Sequence, residues 1–176
     1  MDGKHLLRFQ SEIPGFKFFI RSVNRPNYSV CMFFFAATSY RITVHTGDVK
    51  DAGTQSNVSV ELFGEKGKSP KLRLDKSETY NTKFCRDQLD IFTVYNIPHL
   101  GDLHKIQVWH DRTGPKHEWF VKGFYVEDKS TRKVYFFNCN AWIGRDADKQ
   151  DIKCEGYTLP EGKHGELSLG YAFYLN

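Results

Sequence analysis

Alternation of apolar and polar residues in short segments is the feature that most limits how this chain can fold. In YRITVHT (40–46), Tyr40 lies on the apolar side of such an alternation and His45 lies on the opposite, polar side. NVSVELFG (57–64) repeats the pattern, and here Ser59 falls on the polar side. A period of two residues is typical of a strand that has one face in a core and the other in solvent. Both segments are therefore predicted to be half-buried strands.

Five further segments have strand character, and turn residues separate them. They are KLRL (71–74), LDIFTVYNI (89–97), HKIQVWH (104–110), EWFVKGFYVED (118–128) and KVYFFNC (133–139). The run 89–97 is nearly continuous in apolar and β-branched residues, which indicates a central strand. No segment has a convincing helical period. About seven short strands at near-regular spacing predict an all-β fold, an antiparallel sandwich or barrel.

The composition fits a folded protein and argues against several functional classes. Hydrophobic residues make up 40% of the 176 residues and aromatic residues 15%, which is too much apolar surface for a disordered chain. The net charge of +4 is too small and too dispersed to predict nucleic-acid binding. The longest apolar run, VCMFFFAA (30–37), is far shorter than the roughly 20 residues that span a bilayer. The chain is therefore predicted to be soluble.

The four cysteines point to a reducing compartment. Cys31, Cys85, Cys139 and Cys154 are far apart, and no two of them have the CxxC spacing of a zinc or redox site. Buried free thiols are the ordinary state of such residues in a reducing compartment. These observations predict a cytoplasmic location, peripheral at a membrane if the protein binds lipid.

Three longer stretches carry the pattern of a known family. YRITVHTGDVKDAGTQSNVSVELFGEKGKS, DIFTVYNIPHLGDLHKIQVWHDRTGPKHEWFVKGFYVED and VYFFNCNAWIGRDADKQD follow one another between Tyr40 and Cys154. They resemble a PLAT domain, also called the LH2 or lipoxygenase homology domain, in the style of tandem-repeat PLAT proteins without a catalytic domain. The resemblance implies a PLAT-type antiparallel β-sandwich of two four-stranded sheets at 40–154. It leaves 1–39 and 155–176 as extensions of unknown role.

The resemblance also implies a calcium site in the loop HTGDVKDAGT. Calcium takes roughly six to eight oxygen ligands, and Asp48 and Asp51 offer carboxylates while Gly53 and Thr54 offer further oxygens. In calcium-binding members of the family, the D-x-G-T portion and a carboxylate from a later loop ligate the ion. These match Asp51, Gly53, Thr54 and Asp111 in this sequence. The alternative interpretation is a set of tight turns, in which aspartate and glycine are common for backbone reasons.

Two departures from the family pattern limit the calcium prediction to at most one weak site. The position after AGT is usually aspartate in the family, and in this chain it is Gln55. The loop NTKFCRD, where some members place acidic ligands for a second ion, has Lys83 and Cys85 at the corresponding positions. A lysine beside a cation site opposes binding by direct repulsion.

Membrane or partner contact is predicted for four residues in or beside these loops. They are Lys50, Arg112, Lys116 and Trp109. Basic side chains near anionic headgroups contribute about 1 kcal/mol each, and Trp109 borders the later loop. By contrast, Trp119 is predicted to be a core residue and Trp142 to pack at the sandwich edge.

The predicted function is a non-catalytic module for membrane-associated recruitment or scaffolding, with calcium-assisted binding to anionic lipid. The predicted partner is anionic membrane lipid, or a membrane or cytoskeletal protein. The alternative is a calcium-independent protein–protein interaction module, with Phe63, Tyr95 and Tyr135 as an exposed partner face. Enzymatic activity is not predicted, because His110 and Asp111 are accompanied by no nucleophile motif and no HExxH.

Overall fold

In the residues that the structure describes, the regular structure consists of β-strands. The computed structural model describes residues 16–19, 33–115, 117–145 and 149–159. The strands in this described part are β1 Phe16–Phe19, β2 Phe33–Thr46, β3 Val58–Gly64, β4 Gly67–Lys68, β5 Leu72–Arg73, β6 Leu89–Pro98, β7 Leu103–His110, β8 Trp119–Asp128, β9 Val134–Ile143, β10 Lys149–Lys153 and β11 Gly156–Thr158. Within the same residues, no helix is long and apolar enough to cross a membrane.

The strands form two antiparallel sheets, which we call the first and the second sheet. The first sheet has six strands in the order β1-β2-β8-β9-β11, with β6 also paired to β2. The second sheet has five strands in the order β10-β7-β3-β4, with β5 also paired to β3. The predicted all-β antiparallel sandwich is confirmed. Its sheets have more than four strands each because short strands, β1, β4, β5 and β11, add to the longer ones.

Side chains from both sheets form one core. The apolar residues of the alternating segments enter it as predicted, and the fully buried ones in β2 and β3 are Tyr40, Ile42, Val44, Val58, Val60 and Leu62. Trp119, at the start of β8, is also fully buried, as predicted, and its Nε1 donates a hydrogen bond to Thr46 Oγ1 at 3.0 Å. Burial of each large apolar side chain contributes about 1.5–3 kcal/mol. This core fixes the strand ends from which the loops extend.

Two residues that the alternation assigns to solvent are buried instead. His45 lies between β6 and β8, and Asp87 lies 3.7 Å from its Nε2. Ser59 lies opposite both Trp109 on β7 and Arg73 on β5, and these large residues flank it on each side. The prediction was wrong at both positions because alternation assigns a whole sheet face to solvent, whereas neighbouring strands cover part of that face.

The prediction that 89–97 forms a central strand was also wrong. In the described residues β6 pairs only with β2, so it is an edge strand of the first sheet. Its other edge is partly covered by an irregular segment, in which Glu78 N–H donates to Ile91 O at 2.7 Å and the Thr79 hydroxyl donates to Leu89 O at 3.0 Å. This cover explains how an edge strand tolerates so many apolar residues.

The predicted partner face of Phe63, Tyr95 and Tyr135 does not exist as a single surface. Tyr135 is only 1% exposed, and its hydroxyl donates to Asp102 Oδ1 at 2.9 Å. Phe63 belongs to the second sheet, where the Lys105 ammonium lies 4.1 Å from its ring centre, and Tyr95 belongs to the first. The prediction failed because strand alternation alone says neither which sheet a residue joins nor which residues a distant segment covers.

Strands continue past both predicted boundaries of the domain. β2 begins at Phe33 and crosses residue 40, and β1 pairs with its first residues. Beyond residue 154, β11 pairs with β9. The strand suggested within the last ten residues lies outside the described part of the chain. Residues from both predicted extensions therefore take part in the first sheet.

Candidate functional site at the loop end

Three irregular segments meet at the end of the sandwich where β2 and β7 finish, and we call this region the loop end. The segments are 47–57, 74–88 and the described residues before β8, 111–115 and 117–118. Backbone hydrogen bonds join them and the start of β8: Gly47 N–H donates to Phe120 O, Phe120 N–H donates to Ala52 O, and Asp87 N–H donates to Gly47 O, at 2.9, 2.9 and 3.2 Å. The loop end is therefore one connected surface rather than a set of independent loops.

Phe84 anchors the loop end to the core. Its side chain is fully buried, with its ring centre 4.9 Å from that of Trp119 and 5.6 Å from that of Phe92. Its backbone has φ of 58°, a left-handed conformation that is rare for a bulky residue. The buried Asp90 carboxylate holds this conformation, because its Oδ2 accepts a hydrogen bond from Phe84 N–H at 2.7 Å. A sparsely populated backbone conformation of this kind persists only where the surroundings enforce it.

Gly53 and Thr54, two of the predicted calcium ligands, connect the first segment to the second. A Cβ atom at Gly53 would lie 2.8 Å from Phe84 O, so only glycine allows this close approach. Thr54 N–H donates to the same Phe84 O at 3.2 Å. The buried Thr54 hydroxyl donates to His117 O and accepts from Ser56 N–H, both at 3.2 Å. The polar groups of these two residues thus hold loops together.

An open cleft separates the first two segments of the loop end. It has a volume of about 570 Å³. Its lining residues are Asp51, Gly53, Thr54, Gln55, Asn81, Thr82, Lys83, Phe84, Cys85 and Arg86. Three of the five predicted calcium ligands, Asp51, Gly53 and Thr54, are therefore brought together. The second segment contributes two basic residues, Lys83 and Arg86, to the lining of the same cleft.

The other two predicted ligands are engaged elsewhere. Asp48 Oδ1 accepts a hydrogen bond from Arg86 Nε at 2.6 Å. Asp111 Oδ1 accepts from the Thr113 hydroxyl at 2.6 Å, and Oδ2 accepts from Asn57 Nδ2 at 2.7 Å. Both hydrogen bonds lower the pKa of the Asp111 carboxyl, and the bond from Thr113 has the larger effect. Asp111 is not among the residues that line the cleft.

The oxygen atoms at the cleft can be compared with the ligands that calcium, the ion implied by the resemblance, requires. In the described part of the chain, no three His, Cys, Asp or Glu side chains come together in a group suited to a metal ion. Asp51 is the one carboxylate among the cleft-lining residues, and Lys83 and Arg86 line the same cleft. Calcium requires several hard oxygen ligands and opposite charge. The residues as arranged do not fit this ion.

The cysteines of the described part are free thiols, but they are not uniformly buried as predicted. Cys85 is exposed at the cleft, and Cys139 and Cys154 are half-buried. Burial raises the pKa of Cys139 to about 11 and also raises that of Cys154. Cys31 lies outside the described residues. Cys85 is exposed because the neighbouring Phe84 occupies the position that points into the core.

His110 has a structural role at the loop end. It is buried, its Nδ1 accepts a hydrogen bond from Arg112 N–H at 3.1 Å, and its Nε2 lies 3.2 Å from Ile143 O. This arrangement selects the tautomer that carries its proton on Nε2. Burial, with a contribution from the Arg112 guanidinium, lowers the pKa of His110. Both ring nitrogens are thus occupied, which leaves neither for acid–base chemistry.

We expect the stability of the fold to decrease as the pH falls below about 6.5, the pKa of histidine in the unfolded chain. Burial lowers the pKa of both His45 and His110 in the folded state. The unfolded state therefore binds more protons in this range, so this contribution to stability is complete above pH 6.5 and is lost on acidification. Each unit of pKa depression corresponds to about 1.4 kcal/mol.

Urea unfolding at pH 7.5, 6.5 and 5.5 measures this dependence. The His110→Gln variant, in which an amide can still donate to Ile143 O, should show a shallower slope between pH 6.5 and 5.5 than the wild type. Equal slopes for the two proteins would assign the acid sensitivity to other groups.

Exposed apolar side chains are concentrated at the loop end. In the described residues, the large hydrophobic side chains classed as exposed are Val49 (36%), Tyr80 (50%), Leu89 (43%) and Tyr95 (67%). The first three lie in or next to loop-end segments, and Tyr95 lies within β6. Sequence reasoning missed these three residues. Their signal was an apolar residue inside otherwise polar turn sequences, as in GDVKD and SETYNTK.

The four predicted contact residues fall in different places. Lys50 is exposed next to Val49, and Arg112 is exposed in the third segment with φ of 57°. Lys116 lies outside the described residues. Trp109 is half-buried on β7, with the ammonium groups of Lys149 and Lys71 at 4.4 and 5.5 Å from its ring centre. Lys50 and Arg112 are therefore at the loop end, whereas Trp109 lies on the second sheet.

Comparison with known proteins identifies the family. The PLAT/LH2 domain profile matches residues 40–154. Lipoxygenase homology domain-containing protein 1 of Mus musculus is 39% identical over 116 residues, which are 66% of this chain and 6% of that protein. Polycystin-1-like protein 3 of Mus musculus is 38% identical over 111 residues, 63% of this chain and 5% of that protein. The chain thus spans a small fraction of the length of these relatives.

Solved structures agree with the sequence matches. A coral 8R-lipoxygenase, described as activated by calcium via a C2-like domain, superposes with a TM-score of 0.59 at 28% identity. The similarity covers 71% of this chain and 18% of the lipoxygenase. The family profile, the relatives and the shared sandwich lead to the same conclusion: the chain belongs to the PLAT/LH2 domain family.

Proposed function

We propose that this PLAT domain is a non-catalytic recruitment module whose loop end attaches to a membrane surface rich in anionic lipid. The observation that carries the proposal is the position of Val49, Tyr80 and Leu89, three exposed apolar side chains at one end of the sandwich. Lys50 stands beside Val49. Apolar side chains enter the boundary between headgroups and acyl chains, while basic side chains are attracted to anionic headgroups.

The size of these effects predicts weak, salt-sensitive attachment. A basic side chain near an anionic surface contributes about 1 kcal/mol, and this attraction is screened over a distance of about 8 Å at physiological ionic strength. Partial burial of a few apolar side chains adds about 25 cal/mol for each Å² removed from water. The sum supports reversible recruitment rather than permanent anchoring.

Co-sedimentation of the whole chain with vesicles tests the proposal. We expect binding to vesicles of phosphatidylcholine with phosphatidylserine, and little binding to phosphatidylcholine alone. Lys50→Glu reverses one charge, a change of about 2 kcal/mol or roughly thirtyfold in affinity. Lys153→Glu makes the same change in net charge at the end of β10 that lies away from the loop end, and this variant should bind like the wild type.

A pair of tyrosine variants examines the apolar contribution separately. Tyr80→Ala should weaken binding to the anionic vesicles, whereas Tyr95→Ala, at a more exposed tyrosine on β6, should not. Equal effects of the two variants, or equal effects of Lys50→Glu and Lys153→Glu, would contradict attachment through the loop end. Each measurement is made in calcium and in EDTA.

The same vesicle measurements distinguish two alternatives to this proposal. Calcium-assisted attachment is suggested by the similarity to the calcium-activated coral lipoxygenase but conflicts with the donor set of the cleft, and it requires stronger vesicle binding in calcium than in EDTA. A membrane or cytoskeletal protein as partner is the other alternative, and it requires that vesicles of either composition fail to bind.

A cytoplasmic location is supported by the free thiols of Cys85, Cys139 and Cys154.

A further inference from the structure

We infer that Lys83 and Arg86 supply the positive charge of the loop-end cleft through hydrogen bonds within the protein. The cleft therefore keeps its shape without a divalent ion and disfavours binding one. This inference concerns the cleft alone and does not depend on attachment to lipid. It rests on the positions of the two basic side chains, the hydrogen bonds they make and the carboxylates around them.

Lys83 holds the wall of the cleft against the segment after β5. Its ammonium donates a hydrogen bond to Leu74 O at 2.7 Å, which satisfies a backbone carbonyl of a buried residue. The same ammonium lies 5.3 Å from the ring centre of Phe84. Lys83 thus joins the later part of segment 74–88 to its first residue, and it lies next to Phe84, which anchors the loop end to the core.

Three carboxylates act electrostatically on Lys83, whose direct hydrogen bond is to Leu74 O. Asp75, Asp90 and Asp111 each favour its charged form electrostatically, although burial is the larger influence and lowers its pKa. Asp90 is fully buried and holds the Phe84 backbone. The Lys83 ammonium thus adds positive charge near these carboxylates, of which Asp75 also pairs with Arg73 at 3.0 Å.

Arg86 performs the corresponding role for the first segment. Its Nε donates to Asp48 Oδ1 at 2.6 Å, which joins residues 38 positions apart in the sequence. Because the two side chains are exposed by 56% and 60%, the ion pair adds little stability by itself. Its consequence is for binding: a calcium ion could recruit the Asp48 carboxylate only by displacing Arg86, and an ion in the cleft would lie beside two basic side chains.

Calcium titration of the thermal unfolding midpoint of the whole chain tests the inference. We expect no change in the wild-type midpoint between EDTA and several millimolar calcium. Lys83→Glu replaces this cation with a second carboxylate in the cleft that Asp51 also lines, and it should create a saturable, EDTA-reversible rise in the midpoint. Lys66→Glu, which changes an exposed lysine between β3 and β4 by the same charge, should not.

Two results would overturn the inference. One is a saturable calcium-dependent rise in the wild type, and the other is a folded Lys83→Glu protein that does not respond to calcium. If Lys83→Glu fails to fold, Lys83→Met keeps the aliphatic stem and removes the charge. Hydrogen exchange at 81–86 should then be faster than in the wild type and unaffected by calcium, and unchanged exchange would contradict the role assigned to Lys83.

Discussion

Replacement of Phe84 by alanine is expected to lower the free energy of unfolding by about 3–5 kcal/mol, the usual loss for a buried aromatic residue. The ring fills the space next to Trp119 and Phe92, and alanine would leave a cavity there. The backbone of residue 84 would keep its left-handed conformation without the packing that enforces it. We therefore expect hydrogen exchange in 81–88 to accelerate as well. Urea unfolding and amide exchange measure the two effects.

Tyr80→Ala is the matched control for Phe84→Ala, because it removes another aromatic ring from the same segment. Tyr80 is half exposed, so its removal should change the free energy of unfolding by less than about 0.5 kcal/mol. The two variants should separate stability from vesicle binding. Similar losses of stability in both variants would show that Phe84 is not the anchor of the loop end.

Gly144→Ala is expected to be the second strongly destabilising substitution, with a loss of about 2–5 kcal/mol. Gly144 has φ of 83°, a left-handed conformation that costs a residue with a Cβ atom about 1–2 kcal/mol. A Cβ atom at this position would also overlap the His110 ring, which is held between Arg112 N–H and Ile143 O. Thermal and urea unfolding measure the loss.

Gly67→Ala separates backbone strain from overlap. Gly67 also has positive φ, of 132°, but a Cβ atom there would have no neighbour within 4 Å. It should therefore lose only the contribution from backbone strain, and clearly less than Gly144→Ala. A further check comes from the titration of His110: the Gly144→Ala protein should lose part of the acid sensitivity described above, since a displaced ring is more exposed to water. Equal losses in the two glycine variants would rule out the contact with His110.

Seven strands, β2, β3 and β5 to β9, were predictable from their local residue patterns, but β1, β4, β10 and β11 and the order of the strands were not. β2, β3 and β7 contain apolar residues at every second position, and those residues form the core. The edge position of β6 depends on the segment around Glu78, which covers it through contacts that alternation does not encode. In the same way, the burial of Tyr135 depends on Asp102 in a distant turn, whose carboxylate accepts a hydrogen bond from the Tyr135 hydroxyl.

The candidate site was predictable in location but only partly in composition. The AGT sequence marked the correct loop, and Gly53 and Thr54 do meet the segment around Phe84. The partners of Asp48 and Asp111 were not predictable, because Arg86 and Asn57 reach them from 38 and 54 positions away in the sequence. A carboxylate in a loop can serve a metal ion or a protein cation, and only its three-dimensional neighbours decide between the two.

Hydrogen exchange of the whole chain, with and without phosphatidylserine-containing vesicles, tests attachment through the loop end most directly. If the loop end meets the membrane, protection should increase at 47–51 and 79–83, where Val49 and Tyr80 are exposed, and remain unchanged in β10 and along β6 around Tyr95. Protection confined to a sheet face, with no change in the two loop-end segments on bound vesicles, would contradict it.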